Sequence, residues 1–174
     1  MDRIIKKYKH YLLPICVIFI LSLSRIIPHP SNFTPILAVG IFSGFYFKNF
    51  ITSFFIVIIS MFIGDLYLGF HNTMFFTYTS LSIAVLLGIV TKHFKFKQIL
   101  LCGLASSVSF FIITNFGVWE LSGMYEKNFS GLIQAYTMAI PFFHNTLIST
   151  FVYLVIFKFL FEIAVHKKII KKFI

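Results

Sequence analysis

Charged residues are scarce in this sequence. Asp, Glu, Lys and Arg make up 11% of its 174 residues, and only five of them are acidic. A soluble domain carries about a quarter of charged residues, so this chain has too few to cover a water-exposed surface. Hydrophobic residues account for 59% of the chain, and its mean hydropathy is +0.93. These values exclude a multidomain soluble enzyme and a disordered chain, and they indicate an integral membrane protein.

Cysteine and catalytic motifs are also scarce. Cys16 and Cys102 both lie in apolar runs, without the spacing of a zinc site, and we interpret both as small buried hydrophobic residues. The chain has no phosphate-binding loop, no dinucleotide fingerprint, no HExxH and no GxSxG. We therefore expect no enzymatic activity, no cofactor and no metal. Any transport must be downhill, coupled to an ion or powered by another protein.

Apolar runs of nearly membrane length recur along the chain. A helix needs about 20 mostly apolar residues to cross the hydrocarbon core. The sequence predicts an all-α polytopic membrane protein, one bundle of six transmembrane helices over the whole chain, at about residues 11–27, 33–47, 51–68, 73–91, 99–116 and 142–164. A shorter apolar segment at about 131–140 precedes Pro141, which we expect to separate it from the sixth span.

Lys and Arg are distributed unequally between the predicted loops. Twelve lie on one side, and Arg25 and Lys127 lie on the other. The twelve are Arg3, Lys6, Lys7, Lys9, Lys48, Lys92, Lys95, Lys97, Lys167, Lys168, Lys171 and Lys172. Because positive loops stay in the cytoplasm, we expect both termini there and the protein in the cell inner (plasma) membrane. The positive charge favours anionic lipid of the bilayer and does not indicate a nucleic-acid partner.

Polar residues concentrate at the predicted outer ends of the spans. Ionisable groups at such depth are costly and usually face a cavity or a partner. The candidate substrate-binding residues are Arg25, His29, Asn32, Asp65, Asn115, Trp119, Tyr136, His144 and Asn145. These side chains form either a binding cavity or a belt of interfacial anchors and helix caps. Arg25 either pairs with Asp65 or meets an anionic group of a substrate.

The segment 28–35 contains three prolines. Prolines so close together prevent a regular helix and favour extended backbone before each one. The segment is either a plain outer loop or the rim of a binding site. In the first case Asn32 and Thr34 serve to cap the second span.

Two smaller patterns concern packing. Gly40 and Gly44 form a GxxxG motif preceded by Ala38, which allows another helix to approach closely. We expect that helix to belong to the same chain, although another subunit would also fit. Lys158 and Glu162 lie four residues apart on the sixth span, and we expect them to pair.

Several motifs resemble those of a known family. They are Arg25-x-x-Pro28-His29-Pro30-x-Asn32-Phe33-Thr34-Pro35, Gly64-Asp65-Leu66, Asn115-Phe116-Gly117-Val118-Trp119 and Ala139-Ile140-Pro141-Phe142-Phe143-x-Asn145-Thr146-Leu147. Together they resemble a family of small uncharacterised bacterial six-span membrane proteins that are described as transport proteins. The size and six-span layout are similar to those of the substrate-binding S component of energy-coupling-factor vitamin transporters.

This resemblance implies a substrate-binding subunit that takes up a small organic molecule, a vitamin or its precursor, from the outer side. It also implies a separate energising or coupling subunit. S components dock that subunit through a small-x-x-x-small pair on an early helix, and here Gly40 and Gly44 lie on the second span.

Two alternatives to uptake remain open. A structural or assembly membrane protein without transport activity explains six spans that lack chemistry, but it does not explain the polar outer side. A membrane-embedded enzyme would need an acid and base pair or a metal set, which His29, Asp65, His71 and His144 are able to supply in composition only.

Overall fold

The computed structural model describes residues 16, 18–21, 23–93 and 95–166, and over these ranges the protein is all α. Helix α1 contains the helical residues 16, 18–21 and 23–26. It is followed by α2 (Ile36–Phe47), α3 (Phe50–Leu68), α4 (Met74–Val90), α5 (Phe96–Leu121) and α6 (Phe129–His166). The all-α class is confirmed. The predicted start of the first span at residue 11 lies outside the described residues, as do eight of the predicted cytoplasmic charges: Arg3, Lys6, Lys7, Lys9, Lys167, Lys168, Lys171 and Lys172.

Three helices have the length and apolar composition needed to cross a membrane. They are α3 with 19 residues, α5 with 26 and α6 with 38. Helices α2 and α4 are apolar but shorter, with 12 and 17 residues, which at 1.5 Å per residue is roughly 18 and 26 Å. The apolar helices indicate a multi-pass membrane protein.

Helix α2 lies at the centre of the bundle, in contact with α3, α4, α5 and α6. Its sequence, ILAVGIFSGFYF, is apolar on every side, and most of its residues are buried, as expected of a helix that has no solvent face. It begins at Ile36, later than the predicted start at residue 33, because Pro35 disfavours helical backbone at Thr34. The residues between α1 and α2 are not helical, which confirms the prediction from the prolines.

Helix α2 ends at Phe47, and the left-handed backbone of the next residue, Lys48 (φ 52°), stops the helix. The Lys48 amine donates hydrogen bonds to the carbonyl oxygen of Ile89, at 3.0 Å, and to that of Thr91. It thereby satisfies two carbonyl groups at the end of α4. Partial burial of the amine lowers the pKa of Lys48. The ends of α2 and α4 are therefore fastened side by side.

The parallel pair α2 and α4 approaches closely through small residues. A Cβ atom added at Gly40 would lie 3.1 Å from Cβ of Ala84. One added at Gly44 would lie 3.0 Å from the Ile89 nitrogen and closer still to the carbonyl oxygen of Val85, and one at Gly88 would collide with the Ile41 carbonyl group. The helix that Gly40 and Gly44 contact is therefore α4 of the same chain. Ala38 is fully buried in the same core.

Helix α6 is continuous through Pro141, so the predicted separation into two segments there is wrong. Proline removes one backbone hydrogen bond and normally kinks or breaks a helix. Here α5 packs along α6 on both sides of Pro141: the ring of Phe111 lies 5.5 Å from that of Tyr136 and 4.9 Å from that of Phe143. Packing against a neighbouring helix is one setting in which proline is tolerated within membrane helices, and the ring contacts with α5 flank Pro141 on both sides.

The connections lie at two ends of the bundle. The proline end contains residues 27–35, 69–73 and 122–128, and the lysine end contains residues 48–49, 91–93 and 95. Arg25 and Lys127 belong to the proline end, whereas Lys48, Lys92, Lys95 and Lys97 belong to the lysine end. In α6, the predicted pair of Lys158 and Glu162 is confirmed, with a distance of 2.5 Å between Nζ and Oε1.

We predict a graded effect of adding a methyl group at the α2–α4 contact. Gly44→Ala and Gly88→Ala place Cβ against backbone, which cannot move aside, and overpacking of this kind costs about 1–3 kcal/mol. In Gly40→Ala the added Cβ would lie 3.1 Å from Cβ of Ala84 and no closer than 3.7 Å to backbone, so this variant serves as the matched control. Thermal unfolding midpoints in detergent should fall clearly for the first two variants and little for the third. Equal midpoints for Gly44→Ala and Gly40→Ala would contradict this packing.

Candidate functional site

Of the two alternatives predicted for Arg25, the ion pair with Asp65 is present at the proline end. Nη2 of Arg25 lies 2.7 Å from Oδ1 of Asp65, and Nη1 donates to the carbonyl oxygen of Met61 at 2.6 Å. The Tyr78 hydroxyl donates to Oδ2 of Asp65 at 2.6 Å. The Asp65 side chain is 1% exposed and that of Arg25 is 15% exposed. This network joins α1, α3 and α4 by charge-assisted hydrogen bonds, which are stronger than neutral ones.

Gly64 makes room for this pair. A Cβ atom at Gly64 would lie 3.0 Å from Cζ of Arg25 and closer still to Nη1. The guanidinium group therefore lies directly against the backbone of α3, where it reaches both the Met61 carbonyl and the Asp65 carboxylate. Gly64 and Asp65 thus both serve the ion pair: the glycine leaves room for the guanidinium group, and the aspartate binds it.

A cavity of about 560 Å³ lies beside the ion pair. All six helices and the connections of the proline end contribute to its wall. The polar part of the wall includes four threonines from three helices, namely Thr77, Thr114, Thr146 and Thr150. The apolar part includes Leu37, Met61, Phe110 and Phe142. Apolar walls with a few placed polar groups are typical of small-molecule sites.

Four of the nine predicted site residues line this cavity: Arg25, His29, Asn32 and Asn115. The His29 ring bonds through Nδ1 to the carbonyl oxygen of Ile27 at 2.6 Å, and Asn115 donates through Nδ2 to the Phe111 carbonyl at 2.7 Å. Asn32 has a left-handed backbone, with φ 63°.

The alternative role of Asn32 and Thr34 as caps of α2 is wrong. Pro35 occupies the cap position, and no side chain hydrogen-bonds there. Both residues instead line the cavity, so the proline-rich segment forms part of its wall.

Two further predicted residues do not line the cavity but hold residues that do. Asp65 holds Arg25, as described above. Asn145 donates through Nδ2 to the carbonyl oxygen of Ser31 at 3.0 Å, which fastens the proline-rich segment to α6. The Ser149 hydroxyl reaches the Asn32 carbonyl at 3.5 Å from the next turn of the same helix.

The remaining three predicted residues lie away from the cavity wall. Trp119 donates through Nε1 to the Glu126 carbonyl at 3.0 Å, and its ring lies 5.0 Å beneath the Lys127 amine. The Tyr136 hydroxyl donates to the Ile112 carbonyl at 2.7 Å. His144 is exposed. The hydrogen bonds of Trp119 and Tyr136 join α5 to the connection that follows it and to α6, and so stabilise the α5–α6 hairpin.

The sequence reasoning missed the threonines and Tyr78. Thr146 and Thr150 are four residues apart, so their shared helix face was visible in the sequence. Thr77, Thr114 and Tyr78 are single polar residues in separate apolar runs, and no pattern connects them. Met124 and Tyr125 also line the cavity, from the connection between α5 and α6.

We predict strong coupling between Arg25 and Asp65. Removing one partner leaves the other charge buried without compensation, which costs about 3–5 kcal/mol. Arg25→Ala and Asp65→Ala should therefore each lower the free energy of unfolding markedly, and the double variant should be much less unstable than the sum of the two. A double-mutant cycle measured in detergent without added ligand checks this.

Tyr78→Phe should lower stability by about 1.5–3 kcal/mol, the value of a hydrogen bond to a charged group. Tyr67→Phe on the exposed side of α3 is its control, since Tyr67 is 71% exposed.

In the double-mutant cycle, additive effects of the Arg25 and Asp65 substitutions on the free energy of unfolding would contradict the ion pair.

Comparison with known proteins identifies the family of the chain. No curated protein and no solved structure matches it significantly. Residues 6–172 match the model of DUF6580, a family of unknown function. Because the match extends over nearly the whole sequence, this helical protein with three membrane-length apolar helices belongs to the DUF6580 family.

Proposed function

We propose that the protein binds a small organic molecule in the cavity at the proline end, as the substrate-binding subunit of a membrane transport system. The cavity carries this proposal. Its volume of about 560 Å³ lies within the range of about 300–1,000 Å³ that is usual for ligand sites. Its wall combines apolar side chains with Arg25, which Asp65 and the Met61 carbonyl already hold in position. A wall group that is held in place before binding loses little freedom when a ligand arrives.

The proposed topology has six spans, with the lysine end in the cytoplasm and the proline end outside the inner membrane. The twelve-to-two distribution of Lys and Arg over the predicted loops supports it. Helix α2 is shorter than the hydrocarbon core, but the non-helical segment 27–35 continues from it and lines the cavity. Non-helical backbone is tolerated at membrane depth where it borders a wet cavity.

The source of energy is proposed to lie outside this chain. The sequence has none of the motifs that bind and hydrolyse a nucleotide. A separate energising or coupling subunit, as in the vitamin transporters that the layout resembles, is consistent with that. A vitamin or its precursor is the proposed cargo on the same resemblance.

We predict that single cysteines report the two ends of the bundle separately. In a background with Cys16 and Cys102 replaced by Ala, cysteines at Lys92 and Lys95 should react only from the cytoplasm. Cysteines at His71 and Lys127 should react with an impermeant maleimide from outside. All four positions are exposed, so access depends on the side of the membrane. Labelling of Lys95→Cys from outside would reverse the proposed orientation.

We also predict that filling the cavity abolishes ligand retention. Met138 lines the cavity and Ile148 does not, although both lie on α6 and are similarly exposed, at 59% and 53%. Small molecules released by denaturing the purified protein should be found by mass spectrometry for the parent and for Ile148→Trp. Met138→Trp should lose them while its gel-filtration profile stays unchanged. Equal retention by both variants would contradict binding in this cavity.

A further inference from the structure

We propose that the cavity selects an uncharged molecule that carries several O–H or N–H donors, because the helical threonines, His29 and Asn115 of its wall present hydrogen-bond acceptors and the charge of Arg25 is compensated by Asp65. This inference rests on the proposed function, since it names the class of substrate that the same cavity takes.

The four wall threonines that lie within helices have already used their donors. Each hydroxyl has one hydrogen and two lone pairs. Each donates to a backbone carbonyl oxygen of its own chain four residues earlier, at 2.7–3.2 Å: Thr77 to Thr73, Thr114 to Phe110, Thr146 to Phe142 and Thr150 to Thr146. What these hydroxyls offer to a ligand is therefore oxygen lone pairs.

His29 and Asn115 extend the same pattern. A carbonyl oxygen only accepts, so the Nδ1 atom of His29 that lies 2.6 Å from the Ile27 oxygen carries the proton. In the neutral ring Nε2 is then an acceptor. Asn115 donates one Nδ2 hydrogen to the Phe111 carbonyl, so its Oδ1 can accept from a ligand and its second Nδ2 hydrogen remains.

The electrostatics of the wall disfavour charged ligands. Among the described residues that line the cavity, Arg25 is the only Lys, Arg, Asp or Glu side chain. Its charge is compensated by Asp65 at 2.7 Å, so an anion would have to compete with a carboxylate that is already in place. A cation would meet Arg25 without any carboxylate in the lining to pair with. The remaining N–H groups of Arg25 suit a neutral acceptor such as a carbonyl oxygen.

Apolar side chains complete the selection. Met61, Phe110 and Phe142 line the same cavity, and they suit a ring or a short hydrocarbon portion of the ligand. The class is therefore a neutral polyol, sugar or nucleoside type of molecule that has O–H or N–H groups around a compact body.

The test measures thermal stabilisation of the purified full-length protein by defined probes. Each probe is an uncharged polyol, sugar or nucleoside, and each is compared with its O-methylated derivative and with a carboxylate and a primary amine of the same skeleton. The midpoint shift over a concentration series gives the affinity. We expect the uncharged donors to stabilise the protein and the other three forms to do so at least ten times more weakly.

Paired variants test the threonine oxygens directly. Thr77→Val keeps the shape of the side chain and removes an acceptor from the wall. Thr79→Val is its control, since Thr79 is exposed two residues along α4 and makes the same type of bond, to Phe75 at 2.7 Å. Loss of one neutral hydrogen bond should weaken binding of the best uncharged probe about 2- to 10-fold for Thr77→Val, and leave it unchanged for Thr79→Val.

The two proposals fail in different ways. If carboxylates, amines or O-methylated probes bind as well as the uncharged donors, or if Thr77→Val and Thr79→Val behave alike, the ligand class is wrong while the binding function stands. If no probe of any form binds and the purified parent releases no small molecule, both proposals are wrong.

Discussion

The ion pair of Arg25 with Asp65 organises the proline end of the bundle. A carboxylate that is 1% exposed among apolar helices requires compensation, because an isolated buried charge is costly. Arg25 from α1 and Tyr78 from α4 provide it, and both need Asp65 to lie at the end of α3. The guanidinium group fits only because position 64 has no side chain. Three helices are thus fixed relative to one another where the cavity begins.

A second constraint comes from α2. This helix has only 12 residues and packs against α4 through Gly44 and Gly88. It begins at Ile36, and Ile36 and Leu37 line the cavity. The space that a longer α2 would fill at the proline end is bordered instead by the segment 27–35. The prolines that end one helix and delay the next therefore produce both the short central helix and the room beside it.

The sequence was sufficient for the all-α class and for the approximate positions of most helices, because both depend on local signals, apolar runs and prolines. Opposite charges near the ends of two helices indicated the ion pair as one of two alternatives. The sequence also indicated the small residues of α2, although not the helix they contact. The continuous α6 was not predictable, since the contacts that flank Pro141 are made by Phe111 on another helix, with Tyr136 and Phe143. Trp119 and Tyr136 were grouped with the site because polar aromatic residues at one end look alike whether they face a cavity or hold a hairpin. Their actual partners, backbone carbonyl groups elsewhere in the chain, are set by tertiary packing.

The same packing explains why the helical threonines of the wall present acceptors. A threonine inside an apolar helix commonly donates its hydroxyl hydrogen to a carbonyl of the preceding turn. That bond leaves each oxygen with lone pairs, and three helices bring Thr77, Thr114 and Thr146 around one space. The strongest donor in the wall is Arg25, and Asp65 and Met61 hold part of its capacity. A ligand that approached Arg25 as an anion would draw it from the contact that joins α1 to α3, whereas a neutral acceptor can use the remaining N–H groups and leave the bundle intact.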